Sequence, residues 1–166
     1  MNYNELSAAA VCYRPSSQEL TLLLKSLRLA VGNQPGFCCY LINNNEIGEL
    51  WKELDIACIT KDGKILELSN TSSDNKRENF SLHIELEAWN KFAMAIHVIE
   101  GHGNIGYGKA HNLALELTEK RFHLILNTDV EIGCDALEAG LNALNLHPTS
   151  VLATPYATNL QNVKMN

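Results

Sequence analysis

The sequence predicts an α/β fold: a mostly parallel sheet with helices on both faces. Three features point to it. The chain opens in the order strand, helix, strand, helix, which favours a parallel sheet. Residues 96–131 then read as strand, Gly-rich loop, helix, strand and carboxylate. The candidate strands also end in polar or Gly-rich residues: Tyr13-Arg14, Asn43-Asn44, residues 100–103 and residues 127–129. Ligands of open α/β sheets bind beyond those carboxyl ends.

Residues 6–13 form a nearly continuous apolar and small run before Arg14-Pro15, as suits a strand buried on both faces. Ser16-x-x-Glu19 matches a capping box, and Leu20, Leu23, Leu24 and Leu27 follow at helical spacing. Gly32, Pro35 and Gly36 end that helix. Residues 37–42 are a second buried strand, closed by Asn43-Asn44-Asn45, and Ile47, Leu50, Trp51 and Leu54 make a second helical stripe.

Residues 56–60 and 64–68 flank Asp62-Gly63, a favourable hairpin turn. Residues 70–79 are polar throughout and read as a mobile loop, while residues 81–92 fit strand and helix equally. The apolar run 96–99 then leads into Gly103-Asn104-Ile105-Gly106-Tyr107-Gly108-Lys109-Ala110-His111-Asn112. Ala110, Leu113, Ala114 and Leu117 recur at helical spacing, and residues 122–126 lead to Asn127-Thr128-Asp129-Val130-Glu131. Asp135-x-x-Glu138 resembles a second capping box, with Leu137, Leu141 and Leu144 as the buried face of its helix. Pro148 stops that helix, and residues 150–154 read as a short last strand.

At 166 residues this reads as one domain, residues 1–166, with a composition, 46% hydrophobic and 19% charged, ordinary for a globular protein. A formal charge of −6 without a Lys/Arg cluster argues against nonspecific nucleic-acid binding. No apolar run approaches the roughly 20 residues of a membrane-spanning helix, and the first five residues lack the basic region of a signal peptide. Cysteines 12, 38, 39, 58 and 134 contain no CxxC pair, and the first four, in strand-like apolar runs, read as reduced, buried thiols of a cytoplasmic protein.

The Gly-rich turn allows backbone to approach a ligand, and the helix after it offers free N–H groups to an anion. Asp129, at a strand end, is a hard oxygen ligand for a divalent metal beside a phosphate, with Glu131 as a second ligand. Asp129 is equally readable as a loop cap. Lys109 is a diphosphate contact or a solvated side chain; His102 and His111 touch ligand or are satisfied by solvent and backbone. His97 reads as structural, and His83, His123 and His147 show no grouping. Gly101-x-Gly103-x-x-Gly106 also matches the dinucleotide-binding fingerprint, so an oxidoreductase domain is a rival. A side chain at Gly106 is expected to obstruct ligand more than it disturbs folding.

At these residues the chain resembles a family 2 glycosyltransferase of the rhamnosyltransferase branch. That family carries Asn-x-Gly-[Phe/Tyr]-Gly-x-[Ala/Gly]-x-Asn, which residues 104–112 match, then Leu-Leu-Asn-Pro-Asp-x-Glu, matched by residues 125–131 with Thr128 in place of Pro. The resemblance covers residues 6–45 and 96–155. It implies a GT-A-like nucleotide-sugar-binding domain and Mg²⁺ or Mn²⁺. The implied reaction is transfer of a sugar, rhamnose by this branch, from a nucleoside diphosphate to a hydroxyl of a saccharide or lipid-linked acceptor.

By resemblance Asp129, with Glu131, holds the metal and Asn127 contacts the donor ribose or sugar. Asn104, Gly106, Gly108 and Asn112 shape the donor pocket, and Tyr13 and Arg14 lie near the base. Two departures stand out. The second strand ends Ile42-Asn43-Asn44 where the family has Val-Asp-Asn, so Asn43 would read the base as an amide. The family's acceptor-binding half and catalytic carboxylate follow the region of residues 151–155, where this sequence has only residues 156–166. The expectation is a donor-binding part that lacks the acceptor half. It would be truncated, dependent on a partner or homo-oligomer, or a non-catalytic nucleotide-sugar-binding module. No catalytic base is assigned; Glu100 is the remaining substitute.

Overall fold

Leu6–Cys12 (β1) is buried along its whole length, as its unbroken apolar run requires. A computed structural model of the chain describes residues 3–32, 36–56, 64–66, 80–85 and 95–155. Around β1 lie Ser17–Val31 (α1), Cys38–Asn43 (β2), Glu49–Ile56 (α2), Lys64–Leu66 (β3) and Phe80–Glu85 (β4). Ala95–Glu100 (β5), Tyr107–Leu117 (α3), Phe122–Leu126 (β6) and Ala136–Leu146 (α4) follow.

The six strands form one sheet in the order β3-β4-β5-β2-β1-β6. β5, β2, β1 and β6 are parallel neighbours, with Ala10 opposite both Leu41 and Leu126. β4 pairs antiparallel with β5, and β3 antiparallel with β4, at the edge farthest from β6.

Period-two alternation divides the parallel strands between two cores. Ala8, Ala10 and Cys12 of β1 join Cys39, Leu41, Ile96, Val98 and Leu126 beneath α1, α2 and α4. Leu20, Leu23, Leu24 and Leu27 of α1, at most 2% exposed, fill its centre. Ala9, Val11, Tyr40, Ile42 and Ile99 face the other way, where only α3 covers them among the described residues, through Ala110 and Ala114. The small side chains of Ala9, Ala110 and Ala114 let that helix lie close to β1. Helices therefore cover both faces, as expected.

Ser16 forms the complete capping box: Glu19 N–H donates to Ser16 Oγ (3.2 Å) and Ser16 N–H to Glu19 Oε2 (2.7 Å). Asp135 does not repeat it. Its backbone is already helical (φ −98°, ψ −7°) and its side chain caps nothing, whereas a box needs an extended cap residue. Ile56 closes α2 and begins no strand. Residues 57–63, including the expected turn at Asp62-Gly63, lie outside the described residues, as do residues 70–79 and 86–94. Lys64–Leu66 is a strand, and Phe80–Glu85 makes the first part of the ambiguous stretch a strand, its remainder lying outside the described residues.

Residues 150–154 form no strand. Val151 is 97% and Leu152 72% exposed, and neither joins the ladder beside β6. Cys12 and Cys39 are buried and free as expected, Cys38 is only half-buried, and Cys134 is exposed. Among the described residues no helix is long and apolar enough to cross a membrane.

Candidate nucleotide-binding cleft

Because β5, β2, β1 and β6 run parallel, their carboxyl ends line one edge of the sheet. All four polar ends read from the sequence are gathered there. From β1 the chain steps to β2 and β5 on one side, then returns to place β6 on the other. That reversal makes the gap beyond β1 and β6 the topological switch point, where open α/β sheets form their ligand crevice. Tyr13 and Arg14 stand on one side of it; Asn127, Thr128 and Asp129 stand on the other.

Arg14 is the only non-glycine among the described residues with positive φ (52°), a conformation that needs support from its surroundings. Asn45 supplies it. Its Oδ1 accepts the Arg14 N–H (3.1 Å) while its Nδ2 donates to the Cys12 carbonyl (3.4 Å). The Arg14 guanidinium lies 5.4 Å from the centre of the Tyr13 ring, and both side chains are exposed. Such a pair presents a flat aromatic surface and a cation to the crevice.

Asn43 is placed differently from its expected role. Fully buried, it spends its amide inside the protein. Nδ2 donates to Glu100 Oε2 (2.9 Å) and to the Glu46 carbonyl (3.1 Å), and Oδ1 accepts from Asn45 N–H (3.0 Å). Glu100 also accepts from Gly48 N–H (3.1 Å) and Trp51 Nε1 (3.3 Å). This carboxylate thus joins the end of β5 to the loop between β2 and α2. Sequence reasoning missed Asn45 and the anchoring role of Glu100. A Glu ending an apolar strand and a run of three Asn ending another were the available signals.

In the Gly-rich loop Gly101, Gly103 and Gly106 all take positive φ. Asn104 shapes this loop from within, its Oδ1 accepting the Gly106 N–H (3.0 Å). Gly106 caps α3 at φ 82° and ψ 163°, a region open essentially to glycine alone. An added Cβ would meet nothing within 4 Å, so the first cost of a side chain is backbone strain and not collision. Gly106→Ala is expected to lower stability by about 1–3 kcal/mol, measurable by urea unfolding. Equal unfolding midpoints would show that the loop relaxes freely.

Gly108, Lys109 and Asn112 are exposed on the first turns of α3. No acidic residue occupies that first turn, so its free N–H groups and dipole remain available to an anion. The Tyr107 hydroxyl donates to Asn127 Oδ1 (3.0 Å), tying this helix end to the end of β6. Asp129 and Glu131 are exposed beyond it. Among the described residues no three metal-ligating side chains cluster. A cation here would take at most these two carboxylates from the chain, with diphosphate and water completing its shell, which suits Mg²⁺ or Mn²⁺.

His111 and His123 were not expected to be associated. His111, 3% exposed, points inward from α3 with both ring nitrogens unpartnered. Burial, then the nearby His123, pushes its pKa down to about 4. His123 shares a hydrogen bond with Ser7 Oγ (2.8 Å), which accepts from Thr118 Oγ1 (3.1 Å). Its Nε2 is buried without a partner, and burial lowers its pKa. The Gly-rich loop follows β5, two strands from the switch point. A dinucleotide fingerprint belongs to the first strand–helix turn, so the oxidoreductase reading loses its main support.

The sheet order and the four parallel strand ends define an α/β fold with a crevice at the β1–β6 switch point. Compared as a sequence, the chain matches no protein-family model and no curated protein. Compared as a structure, it is similar to residues 1–349 of S. aureus TarS, a GT-A-type glycosyltransferase, with a TM-score of 0.50 and 17% identity. The match covers 93% of this chain but 38% of that one, and at such identity it establishes the fold alone.

Proposed function

We propose that the chain is the donor-binding part of a metal-dependent glycosyltransferase, and that the cleft at the β1–β6 switch point takes a nucleoside diphosphate sugar. One observation carries this reading: the sheet order sets Tyr13 and Arg14 opposite Asn127 and Asp129, with the N-terminus of α3 tied to Asn127. Tyr13 and Arg14 would receive the base, and the α3 amide groups with Asn127 the diphosphate. Asp129, with Glu131, would hold Mg²⁺ or Mn²⁺. When bound, the metal offsets charge on the departing diphosphate. The resemblance to the rhamnosyltransferase branch supports rhamnose as the sugar.

A second reading, nucleotide-sugar binding without turnover, draws on Glu100. Its carboxylate accepts hydrogen bonds from three residues and is poorly placed to take a proton from an acceptor hydroxyl. Calorimetry with uridine and thymidine diphosphates, with Mn²⁺ and with a chelator, tests the main reading. Weak binding that depends on metal is expected, and Asp129→Asn should remove the metal-dependent part. Equal binding in both conditions would take the metal role from Asp129.

A further inference from the structure

The Tyr107–Asn127 hydrogen bond has a chemical consequence for the cleft. An asparagine amide offers an acceptor on one end and donors on the other, and unrestrained it can present either. Here Oδ1 accepts from the Tyr107 hydroxyl, the two oxygens 3.0 Å apart. A phenol is a better donor than acceptor, because its oxygen lone pair is shared with the ring. The bond therefore selects the amide orientation with Oδ1 towards α3. The ring itself is held: His111, buried one turn along the helix, meets it edge-on with centroids 4.5 Å apart at 71°.

We infer that Tyr107 is a positioning residue that fixes the Asn127 amide with its Nδ2 turned from α3 to the crevice, offering an N–H donor to an anionic oxygen of a nucleoside diphosphate. The inference rests on the cleft being a nucleotide site. It adds a donor beside the free N–H groups of α3, where a carboxylate at the same position would add a second negative charge close to Asp129. The chemistry selected is that of an acceptor-rich, anionic group, which a diphosphate supplies and a cationic ligand does not.

Tyr107→Phe removes the hydroxyl and keeps the ring against His111. With uridine diphosphate and Mn²⁺ as probe, its affinity is expected to fall about three- to tenfold, the effect of one net hydrogen bond, with an unchanged thermal midpoint. In an Asn127→Ala background the same change is expected to have no further effect, since coupled residues are non-additive. The Asn127 side-chain amide resonances should shift in Tyr107→Phe without ligand. Wild-type affinity in Tyr107→Phe, or an equal loss in both backgrounds, would overturn the positioning role alone. Failure of the wild-type chain to bind any nucleoside diphosphate would overturn the nucleotide reading and this role with it.

Discussion

Glu100→Ala is expected to lower stability by about 2–4 kcal/mol, a large loss for one strand-end residue. The carboxylate accepts from Asn43 Nδ2, Gly48 N–H and Trp51 Nε1. Asn43 is fully buried and keeps only the Glu46 carbonyl as an alternative partner. Removing the acceptor strands donors that water reaches poorly, and an unpaired buried donor costs about 1–3 kcal/mol. Glu100→Gln should lie between the two, because its amide retains one acceptor oxygen but turns a donor towards other donors. Urea unfolding of the three proteins at neutral pH checks the order. A loss below about 0.5 kcal/mol for Glu100→Ala, the range of ordinary surface changes, would mean that solvent replaces the carboxylate.

Acidification is expected to weaken the fold through His111. Its folded pKa is about 4, against about 6.5 for an unperturbed histidine. Between those values the unfolded chain binds the proton and the folded chain does not. Stability is therefore full above about pH 6.5 and falls as the pH drops towards 4. The loss at the low end is on the order of 3 kcal/mol as an upper bound. His123, depressed in the same direction by burial, adds to it. His111→Leu removes the titrating ring while keeping an apolar side chain between α3 and the sheet. Its urea midpoint should fall less between pH 7 and pH 4.5 than that of the wild-type chain. Parallel pH profiles for the two proteins would show that His111 is not the acid-sensitive group.

The legible parts of the fold are those whose local chemistry agrees with their packing. α1 has a cap, a leucine stripe and a stop, and all three hold in the structure. β1 and β2 are readable because burial on both faces demands unbroken apolar runs, and β6, at the sheet edge with Ile125 exposed, is still marked by its apolar run. Asp135-x-x-Glu138 spells a capping box without the extended backbone that lets one close. Residues 150–154 carry strand propensity without a partner strand, and propensity yields to context.

At the cleft, the strand ends were legible because polar residues interrupt buried strands there. The directions of their side chains were not. Three consecutive asparagines look alike on paper, yet Asn43 turns inward and Asn45 braces Arg14. His111 comes within electrostatic range of His123 only because α3 crosses back over the sheet before β6 begins, a tertiary fact with no sequence spacing of its own.

The sheet order also carries a timetable. β1 pairs with β2 soon after both exist, but its other flank waits for β6, and Ser7 and His123, bonded across that seam, are 116 positions apart. Closing so long a loop costs conformational entropy before any contact rewards it. The two walls of the crevice belong to the first and the last of the described strands, so the cleft comes together only when the sheet is completed. A chain folded only through β5 would hold Tyr13 and Arg14 in place without Asn127 or Asp129 opposite them, and binding of a ligand that needs both walls would report completion of the parallel sheet.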